Sequence, residues 1–328
     1  MTKIAVIGAG AWGTALAMVG ARSGCAVGLW AHEPETVASI RDRRQNMLFL
    51  PGFDVNNRIF ATNSVKEAVA DAELVLLATP AQHIGRASAV LASLDEQPPV
   101  IICAKGIERE SGRLMTEVVG ETLPRHPIAV LSGPTFAAEV AQGLPTAVTV
   151  GCRVRGLAQK IVGLLGAPRF RIYRSSDPTG VEIGGAVKNV IAIACGIIIG
   201  AGLGENARAA AITRGLAETI RLAVAKGGKA PTLSGLSGIG DIMLTCNSFQ
   251  SRNMSLGAEL GKGRALEEIL TERKTVAEGV WTAPAVVALA ERLSVEMPIC
   301  EAVNRLLHHG MSAEEVIESL IARRFREE

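Results

Sequence analysis

At 328 residues, 48% hydrophobic and 20% charged, the chain is long enough for two domains and has a globular rather than a disordered composition. An aromatic content of 3% argues against base-stacking platforms, and a net charge of +2 gives no support for a nucleic-acid or membrane surface, both of which need concentrated basic patches, so an anionic ligand is expected to be small and held locally. The six cysteines (Cys25, Cys103, Cys152, Cys195, Cys246, Cys300) form no CxxC pair, which predicts buried free thiols, no metal and a reducing cytoplasm.

In chain order, Met1-Thr2-Lys3 leads directly into an apolar strand, with no basic segment and signal-type stretch before it. Short apolar runs at Lys3–Ile7, Ala26–Trp30, Leu74–Ala78, Val100–Ala104, Ile128–Leu131, Ala147–Val150 and Phe170–Tyr173 read as strands separated by helical stretches. Such runs suit a mostly parallel sheet covered on both faces, a doubly wound α/β (Rossmann) domain over residues 1–179. Past Asp177-Pro178 the strand pattern stops. Helical spacing at Ala207–Lys226, Pro284–Leu293, Cys300–Leu307 and Ala313–Arg323 predicts an all-α domain over 180–328, with Ser312 and Glu315 forming a capping box. The run from Val190 to Ala201 is too short to span a bilayer, and extending it would draw Lys188 and Asn189 into lipid, so it reads as a helix buried in protein.

The first strand ends in Gly8-Ala9-Gly10-Ala11-Trp12-Gly13 and opens into Thr14-Ala15-Leu16-Ala17-Met18. Between a strand and a helix, these glycines make a tight turn, let a pyrophosphate approach and bring helix and strand together, while the helix start offers free amides. The second strand leads to His32 and Glu33. An acidic Glu33 favours the ribose diol of NAD, whereas His32, with Arg41 or Arg43 near it in sequence, could meet the 2′-phosphate of NADP or stack on adenine; coenzyme preference stays open.

Ligands of open α/β sheets lie beyond the carboxyl ends of the strands, where Thr79-Pro80, Lys105-Gly106 and Ser132-Gly133-Pro134-Thr135 stand. Lys105 suits an anionic substrate or a developing alkoxide, unless it is a surface lysine. Further on, Lys188 and Asn189 interrupt the apolar sequence Gly184-Gly185-Ala186-Val187-Lys188-Asn189-Val190-Ile191-Ala192. A buried amine needs a partner or a function; apolar surroundings favour its neutral form and fit it to general acid or base work, the alternative being a lysine that reaches solvent. Asp241 and Thr245, four residues apart on one helix face, could orient it, and Ser251-Arg252-Asn253 offers a guanidinium matched to phosphate. Asp241 as a helix cap and Arg252 as a surface charge are the plainer alternatives.

At these residues, and at Ala104-Lys105-Gly106, Ser132-Gly133-Pro134-Thr135-Phe136-Ala137, Ile212-Thr213-Arg214-Gly215 and Leu244-Thr245-Cys246, the chain closely resembles the NAD(P)-dependent glycerol-3-phosphate dehydrogenase family of bacterial type. The resemblance implies interconversion of dihydroxyacetone phosphate and sn-glycerol 3-phosphate for phospholipid synthesis, by a cytoplasmic homodimer using NAD or NADP and no metal. It implies that Lys188 transfers the proton and that Lys105, Gly133, Thr135, Asp241, Ser251, Arg252 and Asn253 line the substrate. Around the coenzyme it places Ala11, Trp12, His32, Lys105, Ala137, Arg252, Val276 and Glu278, beside the turn Gly8, Gly10 and Gly13 and the acidic Glu33. The family commonly has Ser where this chain has Ala11, and Val276-Ala277-Glu278-Gly279 matches less closely. A β-hydroxyacid dehydrogenase of the 6-phosphogluconate type and a non-catalytic dinucleotide sensor are the rival readings. Lys188-Asn189 with Ser251-Arg252-Asn253 speaks against the first, and Lys188, Asp241 and Arg252 together against the second.

Overall fold

The structure, a computed structural model, describes residues 1–94, 97–273 and 277–321. It divides into two compact units, one of Met1–Lys105 and Leu114–Glu182, the other of Gly106–Arg113 and Ile183–Glu328. The sequence reading leaves the first domain at 179 and keeps Gly106–Arg113 within it; the structure departs on both points. Glu182 accepts from Thr116 N (2.9 Å) and Thr116 Oγ1 (2.5 Å), so the start of the helix Pro178–Gly200 is tied to the first unit. Gly106–Arg113 is tied to the second unit, because Arg292 donates to Ser111 O (2.7 Å) and Gly112 O (3.0 Å) and Arg109 lies 5.3 Å over the Trp281 ring.

The strands of the first unit are β1 (Lys3–Ile7), β2 (Ala26–Trp30), β3 (Gln45–Asn46), β4 (Leu50–Asp54), β5 (Ile59–Thr62), β6 (Val75–Leu77), β7 (Val100–Ile102), β8 (Ile128–Ser132), β9 (Thr146–Gly151) and β10 (Phe170–Ser175). Eight of them form one sheet in the order β10-β9-β8-β7-β6-β1-β2-β5, parallel except for the antiparallel pair β8–β9; β3 and β4 form a separate antiparallel ribbon. The sequence reading misses β5 and the ribbon. Alternation in β1 sends Ile4 and Val6 to the core on one face of the sheet and Ala5 and Ile7 to the core on the other, which is why the strands are apolar throughout. The order turns back between β1 and β6. That switch point is where the carboxyl ends of a doubly wound sheet open a crevice.

Apart from Gly106–Arg113, which is turn and loop, the regular structure in the described part of the second unit is helical, and the helix Pro178–Gly200 runs into it. By length and composition this helix could cross a membrane, yet 83% of its most apolar window is buried in protein. Its small residues account for the burial: a Cβ at Gly196 would overlap Met254 O, and one at Gly257 would overlap Ile193 O, so glycine lets Pro178–Gly200 and Arg252–Gly261 touch backbone to backbone. The expected helix at Pro284–Leu293 begins earlier and spans Glu278–Arg292, carrying Pro284 in its interior. Proline there cannot donate to Val280 O. The ring of His308, in Pro298–His308, stands 2.8 Å from that carbonyl and supplies the missing partner through Nε2. Ala313–Ile321 carries the expected box, with Ser312 N donating to Glu315 Oε2 (2.7 Å) and Glu315 N to Ser312 Oγ (3.2 Å); Arg323 lies outside the described residues.

Candidate active site

In the first unit the turn Gly8–Gly13 sits at the switch point. Gly8 has a φ of +113°, and a Cβ on it would come within 2.8 Å of Thr79 N; one on Gly13 would overlap Gly8 O. Strand, turn and helix are thus as close as backbone allows. A Cβ at Gly10, by contrast, would meet nothing within 4 Å. The helix Ala11–Arg22 begins at Gly10 with no side-chain cap, so no capping side chain takes up its leading amides. Trp12 Nε1, just inside the helix, and Thr79 Oγ1, at the end of β6, are buried polar atoms without a protein partner. An uncapped helix start at a turn with open space over Gly10 fits a dinucleotide's phosphates.

His32 is exposed and Glu33 half-buried at the start of the helix Pro34–Arg43, after β2. Arg41 is engaged elsewhere: its Nε donates to Ala61 O (2.8 Å), and its guanidinium lies 5.0 Å over Phe60. Ala137 opens the helix Ala137–Gln142 beyond β8. Lys105 Nζ donates to Gly133 O (2.8 Å) and Thr135 Oγ1 (3.2 Å), and Thr135 Oγ1 to Gly133 O (3.1 Å), so these three residues form one group at the ends of β7 and β8.

In the second unit Lys188 and Asp241 form a buried ion pair of 2.6 Å, with side-chain exposures of 8% and 0%. Lys188 Nζ also donates to Thr245 Oγ1 (2.9 Å), which donates to Asp241 O (2.6 Å). The lysine does not reach solvent. A π-helical turn, Leu236–Gly240, precedes Asp241; its wider winding sets the start of Asp241–Cys246, from which both partners of the lysine project. Beside them Cys246 is hydrogen-bonded to Cys195; that bond and burial push its thiol well above the ordinary range, so it stays protonated. All six cysteines are buried and free.

Ser251 and Asn253 are engaged in structure. Ser251 Oγ caps Arg252–Gly261 by accepting from Met254 N (3.2 Å), and Asn253 donates to Asn189 Oδ1 (3.0 Å) while accepting from Gly279 N (2.9 Å). Arg252 is exposed at the first position of its helix. Burial raises the Glu278 carboxyl above its ordinary range, opposed by the nearby charge of Arg252. Val276 lies outside the described residues. Among the described residues no group of three or more His, Cys, Asp or Glu is placed to hold a metal.

Family models cover both halves, NAD-dependent glycerol-3-phosphate dehydrogenase N-terminus over residues 3–158 and C-terminus over residues 177–318. The chain belongs to the NAD-dependent glycerol-3-phosphate dehydrogenase family. It is accordingly an oxidoreductase that uses a nicotinamide coenzyme. A glycerol-3-phosphate dehydrogenase [NAD(P)+] of Rhodospirillum rubrum is 53% identical over 326 residues, 99% of this chain and 93% of the relative. One from Parvibaculum lavamentivorans is 51% identical over 327 residues, 99% and 98% of the two chains. The crystal structure of glycerol-3-phosphate dehydrogenase from Coxiella burnetii matches with a TM-score of 0.95 at 38% identity, covering 98% of this chain and 99% of that one.

Proposed function

We propose that the chain interconverts dihydroxyacetone phosphate and sn-glycerol 3-phosphate, with Lys188 as the proton-transfer residue. The observation that carries this assignment is the hydrogen bonding of Lys188. An ammonium has three N–H groups; Asp241 and Thr245 take two, in a dry setting, and the third remains for a substrate oxygen. The coenzyme, when bound, supplies the hydride to the carbonyl carbon. Lys188 gives its proton to the oxygen, Asp241 keeps the ammonium in place, and in the reverse direction the amine takes the proton back.

The turn Gly8, Gly10, Ala11, Trp12 and Gly13 would hold the pyrophosphate through backbone amides, with His32 and Glu33 at the adenosine ribose and Ala137, Val276 and Glu278 further along the coenzyme. Lys105, supported by Gly133 and Thr135, would polarise the substrate oxygen. Arg252 would anchor the phosphate, since its guanidinium is exposed and matched to phosphate geometry. Ser251 and Asn253 would shape that end of the site, their side chains being engaged with Met254, Asn189 and Gly279. Family likeness supports extending the reading to a cytoplasmic homodimer serving phospholipid synthesis, with a coenzyme-binding N-terminal part and a catalytic C-terminal part.

Oxidation of NADH and of NADPH, followed with dihydroxyacetone phosphate and then with 3-oxo acids, tests the reading. Turnover with the phosphorylated ketone is expected; turnover with 3-oxo acids instead would favour a β-hydroxyacid dehydrogenase, and none with either would remove the catalytic assignment.

A further inference from the structure

Asn46 belongs to no motif of the sequence, yet it is wholly buried and bonded through both ends of its amide. Its Nδ2 donates to Ala9 O (2.8 Å) and to Thr14 Oγ1 (2.8 Å), and its Oδ1 accepts from Phe49 N (3.0 Å). Thr14 Oγ1 donates to Ala9 O as well (3.3 Å). One side chain of the β3–β4 ribbon thereby grips the middle of the glycine turn.

The grip fixes a direction. In a trans peptide the C=O and N–H point to opposite sides, and the described chain contains no cis peptide. With Ala9 O drawn toward Asn46, the N–H of Gly10 is turned the other way. No side chain stands at Gly10 to interfere, because even a Cβ there would meet nothing within 4 Å. We infer that Asn46 is a positioning residue for the coenzyme: by holding the Ala9 carbonyl it aims the Gly10 amide outward as a preset phosphate donor. The inference rests on the reading that this turn holds the dinucleotide pyrophosphate. An amide suits the task because Ala9 O needs a donor and Phe49 N needs an acceptor. Asp at this position would keep the acceptor, lose the donor and set a negative charge against Ala9 O.

The test uses the full chain and titrates NADH and NADPH by coenzyme fluorescence in the absence of ketone, with turnover measured separately at saturating coenzyme. Asn46→Asp is expected to raise the Kd of the better coenzyme roughly tenfold or more, the scale of a lost buried hydrogen bond with an opposing charge. Its kcat and its KM for dihydroxyacetone phosphate should stay within about twofold, because neither depends on the loop once coenzyme is bound. Thr14→Val removes the other donor to Ala9 O and should raise the Kd less, by about two- to fivefold. Val55→Ala serves as a control: Val55 is buried just past β4 and should lower the melting temperature while leaving the Kd near that of the unaltered chain. An unchanged Kd in folded Asn46→Asp, or a Kd shift in Val55→Ala as large as that in Asn46→Asp, would overturn the inference. Should Asn46→Asp not fold, an unchanged Kd in Thr14→Val would do the same. If the unaltered chain bound neither coenzyme, the underlying reading would fall, and the inference with it.

Discussion

The turn at Gly8–Gly13 offers backbone amides and no charged side chain, whereas the cluster at Lys188 buries an ammonium and a carboxylate 2.6 Å apart. The first depends on residues being absent, since a Cβ at Gly8 or Gly13 would strike neighbouring backbone. The second depends on residues meeting from two helices, Lys188 from Pro178–Gly200 and Asp241 and Thr245 from Asp241–Cys246. Backbone donors carry no proton chemistry and suit a ligand that is held. Buried side chains of opposite charge cost desolvation and suit a group that must exchange a proton at a fixed place.

If that contrast is right, the largest effect falls on turnover. Lys188→Ala should cut kcat by about 10²–10⁴-fold, the usual worth of general acid catalysis, and leave the coenzyme Kd near normal. A matching loss of coenzyme affinity would blur the distinction between the two regions.

Next comes stability. Asp241→Asn leaves a buried ammonium without its carboxylate and should destabilise the fold by about 3–5 kcal/mol, whereas pairing Lys188→Met with Asp241→Leu should recover most of that loss. Chemical denaturation of the variants checks this; a double variant no more stable than Asp241→Asn would show that the cluster does not act as a pair.

A buried carboxylate without a lysine sharpens the comparison. Glu218 is buried and accepts from Ile299 N (2.8 Å) and Cys300 N (3.3 Å) at the start of Pro298–His308; burial pushes its pKa to about 7, against the lowering influence of those amides and Arg221. Because the folded-state pKa is raised above the unfolded value of 4.5, the folded chain keeps this proton where the unfolded chain releases it. Its contribution is full below pH 4.5 and is lost as pH rises through about 7. The unaltered chain should therefore lose about 1–3 kcal/mol relative to Glu218→Gln between pH 5 and pH 8. Taking the difference removes the contribution of Glu278, whose carboxyl is raised in the same direction. Parallel stability curves for the two proteins would show that Glu218 does not titrate there.

The smallest effect concerns a backbone group. His308→Ala should cost about 1–2 kcal/mol by leaving Val280 O without a donor, and should cost little when Pro284→Ala restores the helical N–H. An equal cost in both backgrounds would detach the ring from that carbonyl.

The contrast also explains what could be read from the chain. The glycine turn and the sheet follow from local pattern: spacing in Gly8-Ala9-Gly10-Ala11-Trp12-Gly13, and apolar runs buried on two faces. The pairing of Lys188 with Asp241 was legible as a possibility, because two polar residues interrupt an apolar helix and the i, i+4 spacing puts Asp241 beside Thr245. Asn46 and β5 were not. Asn46 works through residues 32 and 37 positions away, and Ile59–Thr62 is four residues with no alternation long enough to register. The helix runs back past Pro284 to Glu278, and what makes up for the proline, the His308 ring on Val280 O, comes from another helix and leaves no local mark in the sequence.

Lys188 as the proton donor is tested most directly by chemical rescue. Small primary amines added to Lys188→Ala should restore turnover with dihydroxyacetone phosphate in proportion to amine concentration and with a dependence on amine pKa, while Lys188→Arg should stay inactive because a guanidinium keeps its proton. Failure of every amine to raise the rate in folded, coenzyme-binding Lys188→Ala, or near-full activity in Lys188→Arg, would show that Lys188 supplies charge alone.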